Sequence, residues 1–244
     1  MSCPSATACT AAGILVSNSI TGETLAESRN GTAWAAQPTP NPSGAEDSSL
    51  QGVSCPSASG CTAVGDFVPS STSSPRVTLA ERWNGTAWAI EPTPNPAGST
   101  ASELNGVSCT SATSCTAVGY YSASSGLAET LAERWNGTAW TVQATPNPSS
   151  AQGNYSALYG VSCASATSCT AAGDYDNSAT GITVTLAEHW NGTAWALQAT
   201  PNPHAAETSR LEGVSCTSAS ACTAAGDYSG FTIGFYVTLA ERYS

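Results

Sequence analysis

The chain has 244 residues, of which only 9% are charged, with 6 Lys and Arg against 17 Asp and Glu and a formal net charge of -11. All six basic residues are arginines, so the sequence lacks the basic patches that grip a nucleic acid or an anionic membrane. A hydrophobic share of 41%, with 7 Trp and 8 Tyr, can build a core and argues against disorder, and no apolar run approaches the roughly 18 residues of a membrane span.

Read from the start, one unit recurs five times: G-V-S-C-x5-C-T-A-[AV]-G-[DY], a variable stretch, T-L-A-E-[RH]-W-N-G-T-A-W, then [PA]-T-P-N-P and a second variable stretch. The leading cysteines are Cys3, Cys55, Cys109, Cys163 and Cys216, so the spacing is 52, 54, 54 and 53 residues. Residues 1-244 therefore read as a single domain of repeats 1-50, 51-104, 105-158, 159-211 and 212-244. Each repeat holds four short strand-like runs bounded by Gly, Pro, Asn and Ser, with no sustained helical period, and the class is all-β. In repeat 2 the runs are Gly52 to Cys55 (A), Cys61 to Asp66 (B), Val77 to Trp83 (C) and Thr86 to Ile90 (D).

The Asn84-Gly85 pair between C and D predicts a two-residue type I′ hairpin turn, and the same pair recurs at residues 30-31, 136-137 and 191-192. That turn pairs Trp83 with Thr86, Glu81 with Trp88 and Leu79 with Ile90. One face then carries Leu79, Glu81, Trp83, Trp88 and Ile90, and the other Ala80, Arg82, Ala87 and Ala89. A bulky face beside a small one suits sheets stacked around an axis. Four strands per repeat and five repeats predict a five-bladed β-propeller with four-stranded blades of about 53 residues. The rival, a string of independent disulfide-stapled modules, leaves each sheet face unburied. The last repeat stops at Tyr243-Ser244, before its N-G-T-A-W segment, so its blade is expected to be three-stranded with a free edge at strand C.

The turn followed by a Trp-bearing strand, Asn84-Gly85-Thr86-Ala87-Trp88, resembles the blades of kelch and Asp-box propellers. It departs from the kelch Gly pair and from Asp-box spacing. The unit is most similar to the Cys-paired V-S-C and C-x-A-V-G repeats of secreted β-propeller repeat proteins from Gram-positive and related soil bacteria. That resemblance spans all five repeats and implies a secreted propeller without implying an activity.

Ten cysteines fall as Cys3/Cys9, Cys55/Cys61, Cys109/Cys115, Cys163/Cys169 and Cys216/Cys222. Zinc knuckles use shorter spacing and a second nearby pair or His, and the only histidines are His189 and His204, so neither a metal site nor a cofactor is expected. One disulfide staple per A/B hairpin is expected, and with it an oxidising, extracellular location. Met1 leads straight into Ser2-Cys3 without a signal peptide, which is expected to have been removed.

Strand direction puts the constant A–B and C–D turns at one end of each blade and the variable segments at the other: residues 14-23, 67-76, 121-129, 175-183 and 228-236, and the stretches after Pro42, Pro96, Pro148 and Pro203. Recognition commonly resides in variable loops on a constant scaffold. Candidate ligand-binding residues are Asp66, Phe67, Tyr120, Tyr121, Asp174, Tyr175, Asp227 and Tyr228, an acid-plus-aromatic pairing suited to sugar hydroxyls and ring faces. The competing reading makes each Asp a cap on the turn leaving strand B.

Glu27, Glu81, Glu133, Glu188 and Glu241 recur in every repeat, so they are expected to be structural, as ion-pair members or backbone acceptors. Trp34, Trp88, Trp140 and Trp195 are expected in the same structural class, and T-P-N-P as rigid turns. Symmetry-breaking polar residues, Tyr155, Tyr159, Asp176, Asn177, His204 and Arg210, gather in repeats 4 and 5 without an evident acid/base pair. No catalytic residue is assigned. The resulting expectation is a secreted, non-enzymatic binding or scaffold module, lectin-like by fold-level analogy with tachylectin-type propellers, whose partner is a glycan or cell-surface polymer. It is monomeric or associates through the edge of repeat 5. The alternatives are a purely structural or engineered propeller without a small ligand and, further off, a glycoside hydrolase.

Overall fold

Alternation of Thr, Val, Leu and Trp with small residues makes each repeat an antiparallel ladder, and Gly, Pro and Asn supply its corners. The computed structural model describes residues 1-16, 21-69, 75-149, 155-203, 206-230 and 235-243, and these form strands and turns with no α-helix. Repeat 1 holds β1 (Ser2–Ser5), β2 (Ala8–Val16), β3 (Gly22–Arg29) and β4 (Trp34–Gln37). Repeat 2 holds β5 (Asp47–Ser57), β6 (Gly60–Val68), β7 (Val77–Trp83) and β8 (Trp88–Glu91). Repeat 3 holds β9 (Ser99–Ser111), β10 (Ser114–Ala123), β11 (Ala128–Trp135) and β12 (Trp140–Gln143). Repeat 4 holds β13 (Ser156–Ser165), β14 (Ser168–Asn177), β15 (Ile182–Trp190) and β16 (Trp195–Gln198), and repeat 5 holds β17 (Ala206–Ser218), β18 (Ala221–Gly230) and β19 (Val237–Tyr243).

Repeats 1 to 3 are four-stranded sheets in sequence order, A to D. Repeats 4 and 5 depart from the expected separate blades. A single parallel pair, Thr183 with Thr208, joins β15 to β17 and merges the two repeats into one seven-stranded sheet. The same kind of touch, from the start of one strand C to the next strand A, recurs where the Ser102 N–H donates to the Arg76 carbonyl at 2.9 Å and where Ala128 bridges Tyr155. The chain divides into two compact bodies, Met1–Ala117 with Glu133–Val142, and Val118–Ala132 with Gln143–Ser244, which are described separately below.

The C–D hairpin corrects the expected register. Trp83 pairs with Trp88, Arg82 with Ala89, Glu81 with Ile90 and Ala80 with Glu91. The loop is therefore Asn84-Gly85-Thr86-Ala87, four residues rather than two. The cause is the Asn84 side chain, whose Oδ1 accepts from the Thr86 N–H (2.9 Å), the Thr86 hydroxyl (2.7 Å) and the Ala87 N–H (3.0 Å). This Asx-type closure outcompetes the type I′ turn, and Gly85 alone supplies the positive φ of 95°. Asn136 and Asn191 build the same loop. Because the slip is two residues, each side chain keeps its face; a slip of one would have reversed them. The tryptophans become direct cross-strand partners, with ring centroids 5.8 Å apart for Trp83/Trp88 and Trp135/Trp140 and 5.9 Å apart for Trp190/Trp195.

Within each body the repeat motif acts as a code for contact with the neighbouring repeat. The Ser hydroxyl of V-S-C accepts from the N–H of the next repeat's first cysteine: Ser2 from Cys55 (2.9 Å), Ser54 from Cys109 (2.9 Å) and Ser162 from Cys216 (3.0 Å). The Thr of C-T-A places its hydroxyl on the next repeat's second cysteine sulfur, at 3.6 Å for Thr10 and Cys61 and for Thr62 and Cys115, and at 3.4 Å for Thr170 and Cys222. Strand A runs so close to its neighbour that a Cβ on Gly52 would stand 3.0 Å from the Asn105 carbonyl oxygen, and one on Gly160 would stand 2.9 Å from the Gly213 Cα. Only glycine permits that approach.

All five C-x5-C pairs are disulfides, Cys3–Cys9, Cys55–Cys61, Cys109–Cys115, Cys163–Cys169 and Cys216–Cys222, and no cysteine is free. Cys163 stands directly opposite Cys169, and Cys216 opposite Cys222, so these bridges pin the A/B hairpin as expected. The five staples are alike, with Cα–Cα distances of 3.9 to 4.0 Å, and each sits beside a register shift of its A/B ladder wherever that ladder is described. In repeat 1 the ladder runs from Ser2/Thr10 to Ser5/Ala8 with a register shift between them, and Cys3 and Cys9 fall inside that irregular stretch. Cys9 is nearly buried, at 9% exposure, and pairs with Arg29 of β3, whereas Cys3 lies exposed on the short β1.

In the first body a core forms around Trp88, with Leu50, Val53, Cys61, Ala63 and Leu79 of its own repeat and Ala26 of the preceding one. The second body repeats it around Trp195. Trp34 departs from its copies: it is 42% exposed on β4, while Trp88, Trp140 and Trp195 are buried. No helix among the described residues is long and apolar enough to cross a membrane.

Candidate functional site

Of the acids that end strand B, Asp66 and Asp174 are buried and Asp227 is half-buried. Asp66, 1% exposed, accepts from the Ser49 hydroxyl at 2.9 Å and forms a short ion pair with Arg76. Arg76 also lies 3.6 Å from Glu103 and 3.9 Å from Asp47, so one guanidinium serves three carboxylates. Burial still raises the Asp66 pKa, against the lowering by Arg76 and Ser49. Phe67, half-buried, packs on the Trp88 core and lines a groove with Val77, Ile90 and Pro92. The turn-cap alternative for Asp66 is thus replaced by an internal ion pair.

The second body builds a different centre on the same position. Asp174, also 1% exposed, faces Arg210 at 3.6 Å and accepts from the Tyr159 hydroxyl at 3.1 Å. The Tyr155 and Tyr159 hydroxyls are 3.2 Å apart, and the Tyr155 ring leans on the Tyr120 ring with centroids 5.5 Å apart and planes at 58°. Burial pushes the Asp174 carboxyl up to about 6, with Arg210 and Tyr159 holding it back. The Tyr159 phenol is raised far above its ordinary value by burial and by the Asp174 charge. Asp227 sits opposite Arg210 across the β17/β18 pair.

Tyr120, Tyr155, Tyr159, Asp174 and Arg210 therefore form one continuous aromatic and charged cluster, drawn from strand A of repeats 4 and 5, strand B of repeats 3 and 4, and the bridge at Tyr155. Its three tyrosines and Arg210 are all partly exposed. The sequence-predicted candidates are split by this geometry. Tyr120 and Asp174 enter the cluster, and Tyr175 packs against the Trp195 core. Tyr121 instead donates to Glu129 at 2.5 Å, and burial with that carboxylate pushes its phenol up to about 12. Tyr228 is half-buried on β18.

Arg76 and Arg210 were missed as partners of the acids. The signal available was positional, because Ser49, Glu103, Ala157 and Arg210 occupy one site, the residue before the strand-A leucine, and differ in every repeat. Of the symmetry-breaking residues, Asp176 accepts from the Thr183 hydroxyl at 2.7 Å and Asn177 caps its own turn through the Ala179 N–H at 3.0 Å. His204 and parts of the variable segments, residues 17-20, 70-74, 150-154 and 231-234, lie outside the described residues.

The recurrent glutamates also differ from expectation. Glu81, Glu133 and Glu188 are 0% exposed, and neither oxygen of any of them makes a hydrogen bond among the described residues. They are neither ion-paired nor backbone acceptors. With the corrected register Glu81 lies opposite Ile90 and Glu188 opposite Leu197, in place of a tryptophan. The polar group bearing on each is a strand-C threonine of the preceding repeat, Thr24, Thr78 or Thr130. Burial pushes Glu81 up to about 7 and Glu133 and Glu188 up to about 8, so the latter two are mostly protonated at neutral pH. The T-P-N-P asparagines do more than turn the chain: Asn41, Asn95, Asn147 and Asn202 accept from the N–H of Thr24, Thr78, Thr130 and Thr185 at 2.9 to 3.1 Å.

Among the described residues no group of three or more His, Cys, Asp or Glu side chains gathers as a metal ion requires. No protein-family model matches the chain, and no curated protein matches it. Solved structures similar to it include a BT0996 RGII complex, at 8% identity and a TM-score of 0.39, covering 78% of this chain and 70% of that one. A structure named "Glycoside hydrolase" is similar at 7% identity and a TM-score of 0.40, covering 84% and 73%. The reading of the site rests on its own geometry.

Proposed function

We propose that the chain is an extracellular, non-enzymatic β-propeller of five blades whose tyrosine cluster in repeats 3 to 5 recognises a glycan. The propeller reading is supported by the contact code, in which Trp88 and Trp195 are buried against the repeat before them and strand A of repeats 2 and 4 lies against that of the next. Five disulfides support an oxidising location.

The observation that carries the glycan reading is the Tyr120–Tyr155–Tyr159–Asp174–Arg210 cluster, which combines ring faces with a charged donor at the variable end. Sugar recognition needs that pairing of an apolar face with fixed polar groups. A hydrolytic role would require Asp174 to reach a glycosidic oxygen while a second carboxylate faces it across the substrate. Asp174 is instead buried and turned toward Tyr159 and Arg210.

Binding to a glycan array tests the reading. Wild-type protein is expected to retain a defined set of glycans, and Tyr155→Ala and Tyr120→Ala are expected to lose them while Tyr121→Phe keeps them. A blank array, or binding indifferent to Tyr155 and Tyr120, overturns it.

A further inference from the structure

One junction between neighbouring repeats is closed by an arginine, and the equivalent junction one repeat earlier is open because a serine stands in its place. Between repeats 2 and 3, Arg82 of β7 reaches across to its neighbour. Its guanidinium carbon lies 4.8 Å from the centre of the Trp135 ring, its Nη2 donates to the Ala112 carbonyl at 2.7 Å, and its Nη1 lies 4.0 Å from Glu91. Under that cover Trp135 is only 4% exposed.

Between repeats 1 and 2, Ser28 occupies the position of Arg82, Trp83 that of Trp135, Ala58 that of Ala112 and Gln37 that of Glu91. A groove of about 410 Å³ opens there, and all four residues line it. Trp83 is half-buried, whereas its copies Trp135 and Trp190 are buried. The charged residue at the groove, Arg29, donates to the Ala6 and Gly31 carbonyls at 3.3 and 3.1 Å and is thereby committed to its own repeat. The groove therefore has the walls that receive an arginine in the next junction, with a serine where that arginine would start.

We propose that this groove is a receptor for the arginine side chain of a partner polypeptide. The guanidinium lies on the Trp83 ring and donates to the Ala58 carbonyl, the two contacts that Arg82 makes with Trp135 and Ala112. The class of ligand follows from that internal copy. A planar guanidinium stacks on an indole face and donates within its own plane at the same time, which the compact ammonium of a lysine does not. A net charge of -11 draws a basic partner toward the chain. Gln37 in place of Glu91 removes the ion pair, so the guest is held less tightly than Arg82 is. The groove belongs to repeats 1 and 2 and shares no residue with the tyrosine cluster, so this proposal and the glycan reading fail separately.

The probe is N-acetyl-arginine amide, titrated into the isotope-labelled intact chain while the Trp83 indole N–H resonance is followed by NMR. A saturable shift in the millimolar range is expected. N-acetyl-citrulline amide, which keeps the shape and loses the charge, should bind roughly tenfold more weakly, as the loss of a cation–π contact implies. Gln37→Glu should tighten the arginine probe roughly threefold by restoring the ion pair. Ser28→Arg supplies the side chain from within; it should abolish probe binding and leave the Tm unchanged or higher, so a folding defect cannot imitate the loss. Absence of a saturable shift, equal binding of the citrulline probe, or a Ser28→Arg protein that still binds the probe or melts below the wild type overturns the proposal.

Discussion

Asp66 and Asp174 occupy the same position in repeats 2 and 4, are equally buried at 1%, and live in different chemistry. Asp66 has a guanidinium in direct contact, and that guanidinium is itself held by Asp47 and Glu103. Asp174 has its arginine at 3.6 Å and relies on a tyrosine hydroxyl, with its carboxyl pushed up to about 6. Desolvation is the larger influence on both, so the neighbours decide the remainder. A closed ion pair leaves a sealed structural corner, whereas a looser one backed by tyrosines leaves aromatic surface and a protonatable acid beside it. One scaffold position thus yields a rivet in one body and a candidate binding site in the other.

The largest expected effect tests the background against which the two acids differ, the buried glutamates common to both bodies. Their folded pKa values of about 8 for Glu133 and Glu188 and about 7 for Glu81 exceed the unfolded value of 4.5, so the folded state binds more protons in between. Stability is therefore fully present below about pH 4.5 and falls as pH rises through that window, by about 5 kcal/mol for Glu133 or Glu188 once pH exceeds 8. Urea unfolding at pH 5 and pH 9 should show Glu133→Gln and Glu188→Gln flattening that slope equally in the two bodies. Unequal flattening would mean that the bodies differ in more than their aspartates.

Next comes the direct contrast. Arg76→Ala strands a buried carboxylate and is expected to cost about 2–3 kcal/mol, less than the full penalty for a buried pair because Arg76 is one-third exposed. Arg210→Ala should cost about 1 kcal/mol, since Tyr159 still holds Asp174. Equal losses in chemical denaturation would break the comparison. Tyr159→Phe sharpens it: removing a donor to the carboxylate should raise the Asp174 pKa further above about 6, followed by the carboxyl carbon shift in an NMR titration, and leave Asp66 unmoved. The smallest effect belongs to the loop. Asn84→Ala should lose about 1 kcal/mol, read as a lowered Tm, because three hydrogen bonds converge on its side chain.

Much of the strand pattern was legible in the residues. Strand C of repeat 2 was read at its observed bounds, and the face that carries Leu79, Glu81, Trp83 and Trp88 was identified. The turn was misread because Asn-Gly is compatible with positive φ at both positions, and nothing local shows that the Asn oxygen will be captured by Thr86 and Ala87. That one choice moved the glutamates away from the tryptophans and toward Ile90 and Leu197. The cysteine pairs were legible down to Cys3 and Cys9, but the register shifts beside the bridges were not, because spacing alone does not reveal them. The candidate site was half legible: Tyr155, Tyr159 and Arg210 stood out as departures from the repeat and Asp174 as a recurring acid, but which of them meet did not. Arg76 lies ten residues beyond Asp66 and returns to it through the β6/β7 pairing, and Arg210 lies in the strand after Asp174's own repeat is complete and reaches it through the packing of β17 on β14, so neither pairing is visible locally.

The sequence by itself determined the five repeats, the all-β ladders, the staples and the side of each strand on which the large residues fall, because periodicity, turn residues and cysteine spacing act locally. Only the tertiary structure decided which polar groups meet. Ser of V-S-C finds the next repeat's Cys N–H, Gln37 finds Trp88, and Asp66 and Asp174 find different arginines, all between residues ten to fifty-five positions apart. The free energy of a buried charge or an indole is set by what surrounds it in space. Identical letters in successive repeats therefore become a rivet or a protonated acid according to the neighbour that packing supplies.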